Sequence, residues 1–299
     1  MLHSEKNIGK VKFLQLRRKQ LLYSALENSI PEMLVDISKT QDGTVAKAIY
    51  AFRFSIPPHE VRRYSTGKIR RESALIYAIV KALTVDDSRK ESAMKTLEAL
   101  VHVCKFDPKY IANHYPALLN EVHDLVLRMI SSYPLQENSI RGKKVLAILL
   151  TGPKTRVLFD DTTIIKNDMC LFINKGRFRF LEAYLECDDF LSKLAPADVF
   201  DIVNDALKSA CPTNCLTKLI GSVREKIPRD AIGGSTLLHI AASLNHIRGV
   251  ELLAYLCDPT AHNQENKLAT DLLDDLDMDL ERRLYLQVII ADATRSAAA

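Results

Sequence analysis

Tryptophan is absent from the chain, and glycine (10) and proline (11) are scarce for 299 residues. That scarcity excludes collagen-like chains and Pro/Gly-rich low-complexity chains. No uninterrupted apolar run approaches the roughly 18 residues of a membrane-crossing helix. The opening residues, Met1-Leu2-His3-Ser4-Glu5-Lys6, contain no apolar signal core. The six cysteines (Cys104, Cys170, Cys187, Cys211, Cys215 and Cys257) are spread too thinly for a disulfide framework and read as reduced thiols. The expectation is a cytoplasmic or nuclear protein with no transmembrane segment.

Signatures of catalysis are missing as well. Ala147 stands five residues before Gly152, and Pro153 separates that glycine from Lys154, so no phosphate loop forms there. The better reading is a helix that ends at a Gly-Pro stop. His59-Glu60 has Arg63 where a zinc protease needs its second histidine. No nucleophile elbow or dinucleotide fingerprint occurs. Cys211-x3-Cys215, with Cys187 upstream, lacks a second close pair of zinc ligands. The carboxylates Asp271, Asp274, Asp275, Asp277, Asp279 and Glu281 lack the central glycine of a calcium loop and read as a solvated acidic face. The sequence therefore predicts no enzyme, no cofactor and no bound metal.

What is present points to helices. Hydrophobic residues make up 47% of the chain, enough for a sizeable core. Leu, Ala, Lys and Glu are frequent, which favours an all-α fold. Charge is uneven. Residues 1–71 hold 14 Lys/Arg against 6 Asp/Glu, whereas residues 72–299 hold 27 against 31. The basic excess centres on Lys10, Lys12, Arg17, Arg18 and Lys19, and on Arg62, Arg63, Arg70 and Arg71. An acidic partner, nucleic acid or an anionic membrane fits that field. A solvated basic face is the plainer alternative. Arg62-Arg63-x-Ser65 and Arg70-Arg71-x-Ser73 resemble basophilic kinase substrates, making Ser65 and Ser73 candidate phosphorylation sites. Residues 44–54 fit a helical stripe (Val45, Ile49, Phe52) or a strand (Phe52, Phe54), and periodicity leaves both open.

From residue 72 the pattern is regular. Ala74, Leu75, Ala78, Ile79 and Leu83 mark one helix. Asp86-Asp87-Ser88 signals the start of a second, which carries Met94, Leu97, Leu100, Val101 and Cys104. Pro116 opens a third, with Leu119, Val122, Val126, Met129 and Ile130, and a fourth runs through Lys143–Leu150. Such helices suit an α-solenoid of the armadillo or HEAT kind.

One stretch is more specific. Gly234-Ser-Thr-Leu-Leu-His-Ile-Ala-Ala-Ser-Leu-Asn-His246 is followed by Val250-Glu-Leu-Leu253. It resembles an ankyrin repeat, with its T-P-L-H-x-A signature and period of roughly 33 residues. Leu237 replaces the family's proline. Asn266 and Asp271 repeat Gly234 and His239 at 32-residue spacing. Asn174–Leu185, with a turn at Gly176, and Asp205–Ile220, with a turn near Pro212, resemble more degenerate copies. The segment near Leu280–Ala291 reads as a capping helix. The expected organisation is a basic segment over 1–71, an α-solenoid-like domain over 72–155 and an ankyrin-like stack over 156–296.

The resemblance implies a non-catalytic interaction module or adaptor that binds another protein. It puts partner contacts at Ile232 and Gly233 in the loop and at Ser243, Leu244 and His246 at the inner helix end. Thr236 and His239 would be scaffold. Two further functions fit the sequence: nucleic-acid or anionic-membrane binding by the basic segment, through residues 6–19 and 62–71, and a bacterial effector that uses its repeats on host proteins.

Overall fold

The computed structural model describes residues 24–26, 28–33, 53–54, 72–104, 123–124, 126–128, 136–209 and 211–298. The described residues are mostly helical, as the composition predicts. One small pairing departs from all-α. Strand β1 (Arg53–Phe54) runs antiparallel to β2 (Glu72–Ser73), with Arg53 opposite Ser73. The alternating reading of Phe52 and Phe54 was therefore the better guide at Phe54, while residues 44–52 lie outside the described residues. The chain forms two compact units, Met1–Asp161 and Thr162–Ala299.

In the first unit, α1 (Ala74–Thr84) carries the apolar stripe read from the sequence, and Leu75, Ala78, Ile79 and Leu83 are buried. Helix α2 (Asp87–Glu98) continues into a π-helical turn at Ala99–Val103. It starts where the Asp86-Asp87-Ser88 signal predicts, but the Asp86 side chain makes no cap bond. The junction is held instead by buried Arg141 of α3 (Gln136–Thr151), whose Nη1 donates to the Val85 carbonyl at 2.6 Å and whose Nη2 pairs with Asp87. Helices α1, α2 and α3 each contact the other two. Gly152 ends α3. A Cβ there would lie 2.3 Å from Val101 Cγ1 and 2.2 Å from Thr155 Oγ1, so the glycine is needed for close packing. Thr155 Oγ1 donates to the Leu149 carbonyl at 2.8 Å and satisfies one acceptor of the helix end. The Gly-Pro stop behaves as read. The boundary between units falls after the short 3-10 helix Thr155–Phe159, between Asp161 and Thr162. Leu119, Val122, Met129 and Ile130 lie outside the described residues, and Val126 is helical and buried.

The second unit is built from helix pairs. Its helices are α4 (Thr162–Asn174), α5 (Phe178–Leu185), the short α6 (Asp188–Leu191), α7 (Pro196–Lys208), α8 (Thr213–Ser222), α9 (Leu237–Ser243), α10 (Ile247–Leu253), α11 (Ala269–Asp274) and α12 (Leu280–Ala298). Four pairs of sequence neighbours pack together: α4 with α5, α7 with α8, α9 with α10, and α11 with α12. The first helices pack in chain order, α4 on α7, α7 on α9 and α9 on α11. The second helices do the same, α5 on α8, α8 on α10 and α10 on α12. Two layers result.

Packing inside the layers follows residue size. Phe172, Phe180, Tyr184 and Phe190 cluster at one end with ring centroids 5.4–6.1 Å apart. Buried Tyr184 donates its hydroxyl to buried Asp168 at 2.5 Å, so neither polar group is stranded in the core. Further along, Ala241, Ala242 and Gly249 let α9 and α10 approach closely. A Cβ on Gly249 would sit 2.7 Å from Leu207 Cδ2 and 3.1 Å from Ala241 Cβ.

Candidate interaction surface

The turns that reverse the chain within two of the pairs, α4–α5 and α9–α10, share one geometry. After α4, Gly176 has φ +64°, its N–H donates to the Ile173 carbonyl at 3.0 Å, and Arg177 N–H donates to the Phe172 carbonyl at 2.6 Å. After α9, Asn245 has φ +53°, its N–H donates to Ala242 at 3.0 Å, and His246 N–H donates to Ala241 at 2.9 Å. Both are Schellman ends with a left-handed residue at the turn. Glycine supplies that conformation freely, and asparagine tolerates it.

Three of the helix starts, those of α7, α9 and α11, also share a device. Thr236 caps α9: His239 N–H donates to Thr236 Oγ1 at 3.3 Å, and Thr236 N–H donates to His239 Nδ1 at 3.3 Å. The Thr236 hydroxyl lies 2.8 Å from the same Nδ1, which fits a neutral ring with its proton on Nε2. That Nε2 reaches the Lys267 carbonyl at 3.1 Å and ties α9 to the next loop. Both residues are fully buried, and burial pushes His239 below the ordinary imidazole pKa. Helix α7 begins with Ala195 N–H donating to Asp198 Oδ2 at 3.1 Å, and α11 with Leu268 N–H donating to Asp271 Oδ2 at 2.8 Å. Alanine and leucine have no acceptor to return, so these two caps are half of the box that Thr236 and His239 complete.

Before α9 the chain makes a two-residue turn. Ile232 and Ser235 exchange backbone hydrogen bonds of 3.0 and 3.3 Å, and Gly233 and Gly234 have φ +61° and +81°. That is the type I′ pattern. Gln264 of the following loop donates to the Gly233 carbonyl at 2.7 Å, so the two loop tips are tied together. Of the five residues expected to contact a partner, Ile232 and Gly233 sit on this tip at the N-terminal end of α9. Ser243 and Leu244 are exposed at its other end, about 10 Å away by helix rise. His246 has a scaffold task as well: its Nδ1 accepts from Gly249 N–H at 3.0 Å and starts α10.

Between those ends the first layer presents polar side chains that the motif does not mark. Asp198, Asp201 and Asp205 line one face of α7 and meet α4. Lys166 lies 3.4 Å from Asp198 and pairs with Asp201, and Asn174 Nδ2 donates to Asp205 at 3.1 Å. The Asp201 carboxylate holds the Lys166 ammonium above its usual range. Burial, with Asp205 beside it, pushes the Cys170 thiol up to about 12, so it is inert at neutral pH. The three-residue and four-residue spacing of these aspartates is the only sequence signal for the strip. On the other layer a polar ladder crosses four helices. Lys218 donates to Glu186, Arg248 donates to Thr217 and Glu251, and Tyr285 donates to Glu251 at 2.8 Å.

The acidic cluster near the end is exposed, as read, and several of its carboxylates also have partners within the chain. Asp271 caps α11, Asp275 accepts from Lys267 at 2.6 Å, Asp274 accepts from Gln287 at 2.9 Å, and Asp279 accepts from the first N–H groups of α12. Among the described residues no group of three His, Cys, Asp or Glu is placed to hold a metal ion. The described cysteines are all free thiols, and no described helix is long and apolar enough to cross a membrane. Lys10, Lys12, Arg17, Arg18, Lys19, Arg62, Arg63, Arg70, Arg71 and Ser65 lie outside the described residues, while Ser73 lies in β2. No protein-family model, curated protein or solved structure matches the chain.

Proposed function

We propose that residues 162–299 form a degenerate ankyrin-like stack whose function is to bind another protein without chemistry. The observation that carries this reading is the ordered two-layer packing of four helix pairs, with first helices against first helices and second against second. Loops and first helices of such a stack form a continuous side-chain surface. Two features add support. The Thr236–His239 pair is consumed by capping, which suits a scaffold rather than an acid–base site. The Gly233 tip and the Leu244 end stay exposed on one short helix. In the first unit, α1, α2 and α3 suit part of an α-solenoid, which extends the same class of architecture.

The test uses the full chain as bait, followed by binding measurements with each purified partner. Ile232→Asp, Leu244→Asp and Ser243→Arg should weaken the complex roughly tenfold or more while leaving the melting curve in place. If every purified partner binds the triple variant as well as the parent, the first-layer face is the wrong surface.

A further inference from the structure

Helix α12 has two apolar faces. Leu286, Ile290 and Ala293 are buried in the second layer. On the opposite side Leu280, Leu284 and Val288 are 65, 52 and 57% exposed, and the exposed Ala291 continues the stripe. Positions four apart stack on one side of a helix, so these residues make a continuous ridge.

The charges beside the ridge say what fits it. Glu281 and Arg295 lie two helical turns before and after Val288, nearly in line with it along the helix, and both are exposed. A second α12 laid antiparallel, with its own Val288 against the first, brings each Glu281 beside the opposite Arg295. Leu284 then meets the other copy's Ala291, and the stem of Arg295 covers Leu280. This is the self-complementarity that a two-fold interface requires, since each contact must occur twice. Arg295 pairs with Asp292 on its own helix, which keeps it on this side of α12.

We infer that α12 is a self-association surface through which two copies of this chain pair antiparallel. One helical ridge covers less than the roughly 800 Å² per partner of a stable interface, so the dimer is weak, with a Kd of about 10–100 μM. This surface is separate from the loop and first-helix face assigned to the protein partner, and either can fail without the other.

Sedimentation velocity on the full chain, from about 1 to 300 μM, should show a monomer–dimer equilibrium in the Kd range given above. Val288→Glu places two carboxylates at the symmetric centre and should abolish dimerisation. Val288→Ser is a milder variant that should weaken it. Glu281→Arg and Arg295→Glu should each weaken the homodimer about tenfold or more, because like charges then face each other twice. Mixed in equal amounts, those two variants should form a heterodimer near parental affinity, since every introduced charge then meets its opposite. Glu281→Gln and Arg295→Gln supply smaller steps in the same direction. A chain that stays monomeric throughout, a dimer indifferent to both Val288 variants, or charge variants that fail to recover on mixing would each overturn the assignment.

Discussion

The entries to α9 and α11 do the same mechanical job with different residues. Each places a left-handed residue before the helix, Gly234 at φ +81° in one and Asn266 at φ +58° in the other. Each reaches back from the third helical position to the N-cap N–H, with His239 in one and Asp271 in the other. Only the α9 entry returns a side-chain bond, through Thr236, and only its third helical residue, His239, spans onward to Lys267. The difference teaches that one geometry tolerates several chemistries, while the strength with which it is held varies. A buried reciprocal box that also links one helix pair to the next is a stronger tie than an exposed half box.

Truncating the two N3 residues tests that ranking most sharply. His239→Ala keeps the backbone bond to Thr236 Oγ1 but removes both contacts of the ring nitrogen Nδ1 and the link to Lys267, and it leaves the buried Thr236 N–H without its acceptor, a loss of about 3 kcal/mol. Thermal unfolding followed by circular dichroism should show a drop on the order of 10 °C. Gly234→Ala comes next, at about 1–2 kcal/mol, because φ +81° strains any Cβ and the new atom would meet the Gln264 side chain. Asp271→Ala should cost only about 1 kcal/mol, the ordinary loss of a cap acceptor. Equal melting shifts for His239→Ala and Asp271→Ala would break the comparison.

Acid sharpens it from another direction. His239 is held neutral, below its usual pKa, by burial. The unfolded chain therefore binds more protons than the folded one as pH falls below about 6.5. Stability from this residue is present above that pH and declines beneath it, as protonation of Nδ1 displaces the Thr236 bonds. Between about pH 7.5 and 5.5 the parent should lose more melting temperature than His239→Gln, which keeps an acceptor but cannot titrate. Parallel pH curves for the two proteins would remove the neutral-histidine account. The smallest effect belongs to Asn266→Gly, within about 0.5 kcal/mol, because relief of a left-handed asparagine is offset by a looser unfolded chain. Differential scanning calorimetry at neutral pH resolves it. A shift of several degrees in either direction would show that the Asn266 side chain does more than tolerate the turn.

Helix positions were largely legible because their signals are local. The stripe Leu75, Ala78, Ile79 and Leu83 is one face of one helix, and it is buried as read. The turns at Gly176 and Asn245 were legible for the same reason. Leucine at 237 did not prevent the capping box, since Thr236 and His239 are three residues apart and make their bonds within one turn. Caps at Ala195 and Leu268 were not legible as such, because neither residue has a capping side chain and the acceptor comes from three positions on. Asp86 shows the converse, a cap residue in sequence whose side chain is not used. Exposure was harder still. His246 carried a contact role by position, yet its ring starts α10.

Sequence alone determined the helical class, the turn positions and the motif around Thr236 and His239, because each depends on dihedral preferences and hydrogen bonds spanning a few residues. Tertiary structure decided everything that joins one pair to the next. It set His239 on Lys267, Gln264 on Gly233, Lys166 on Asp198 and Asp201, and Tyr285 on Glu251. It also decided that α12 shows a second apolar face to solvent. Those contacts depend on how far each helix is rotated and shifted against its neighbour. That choice is made by the summed packing of Ala241, Ala242, Gly249, Leu207 and the aromatic cluster, and no short stretch of chain carries it.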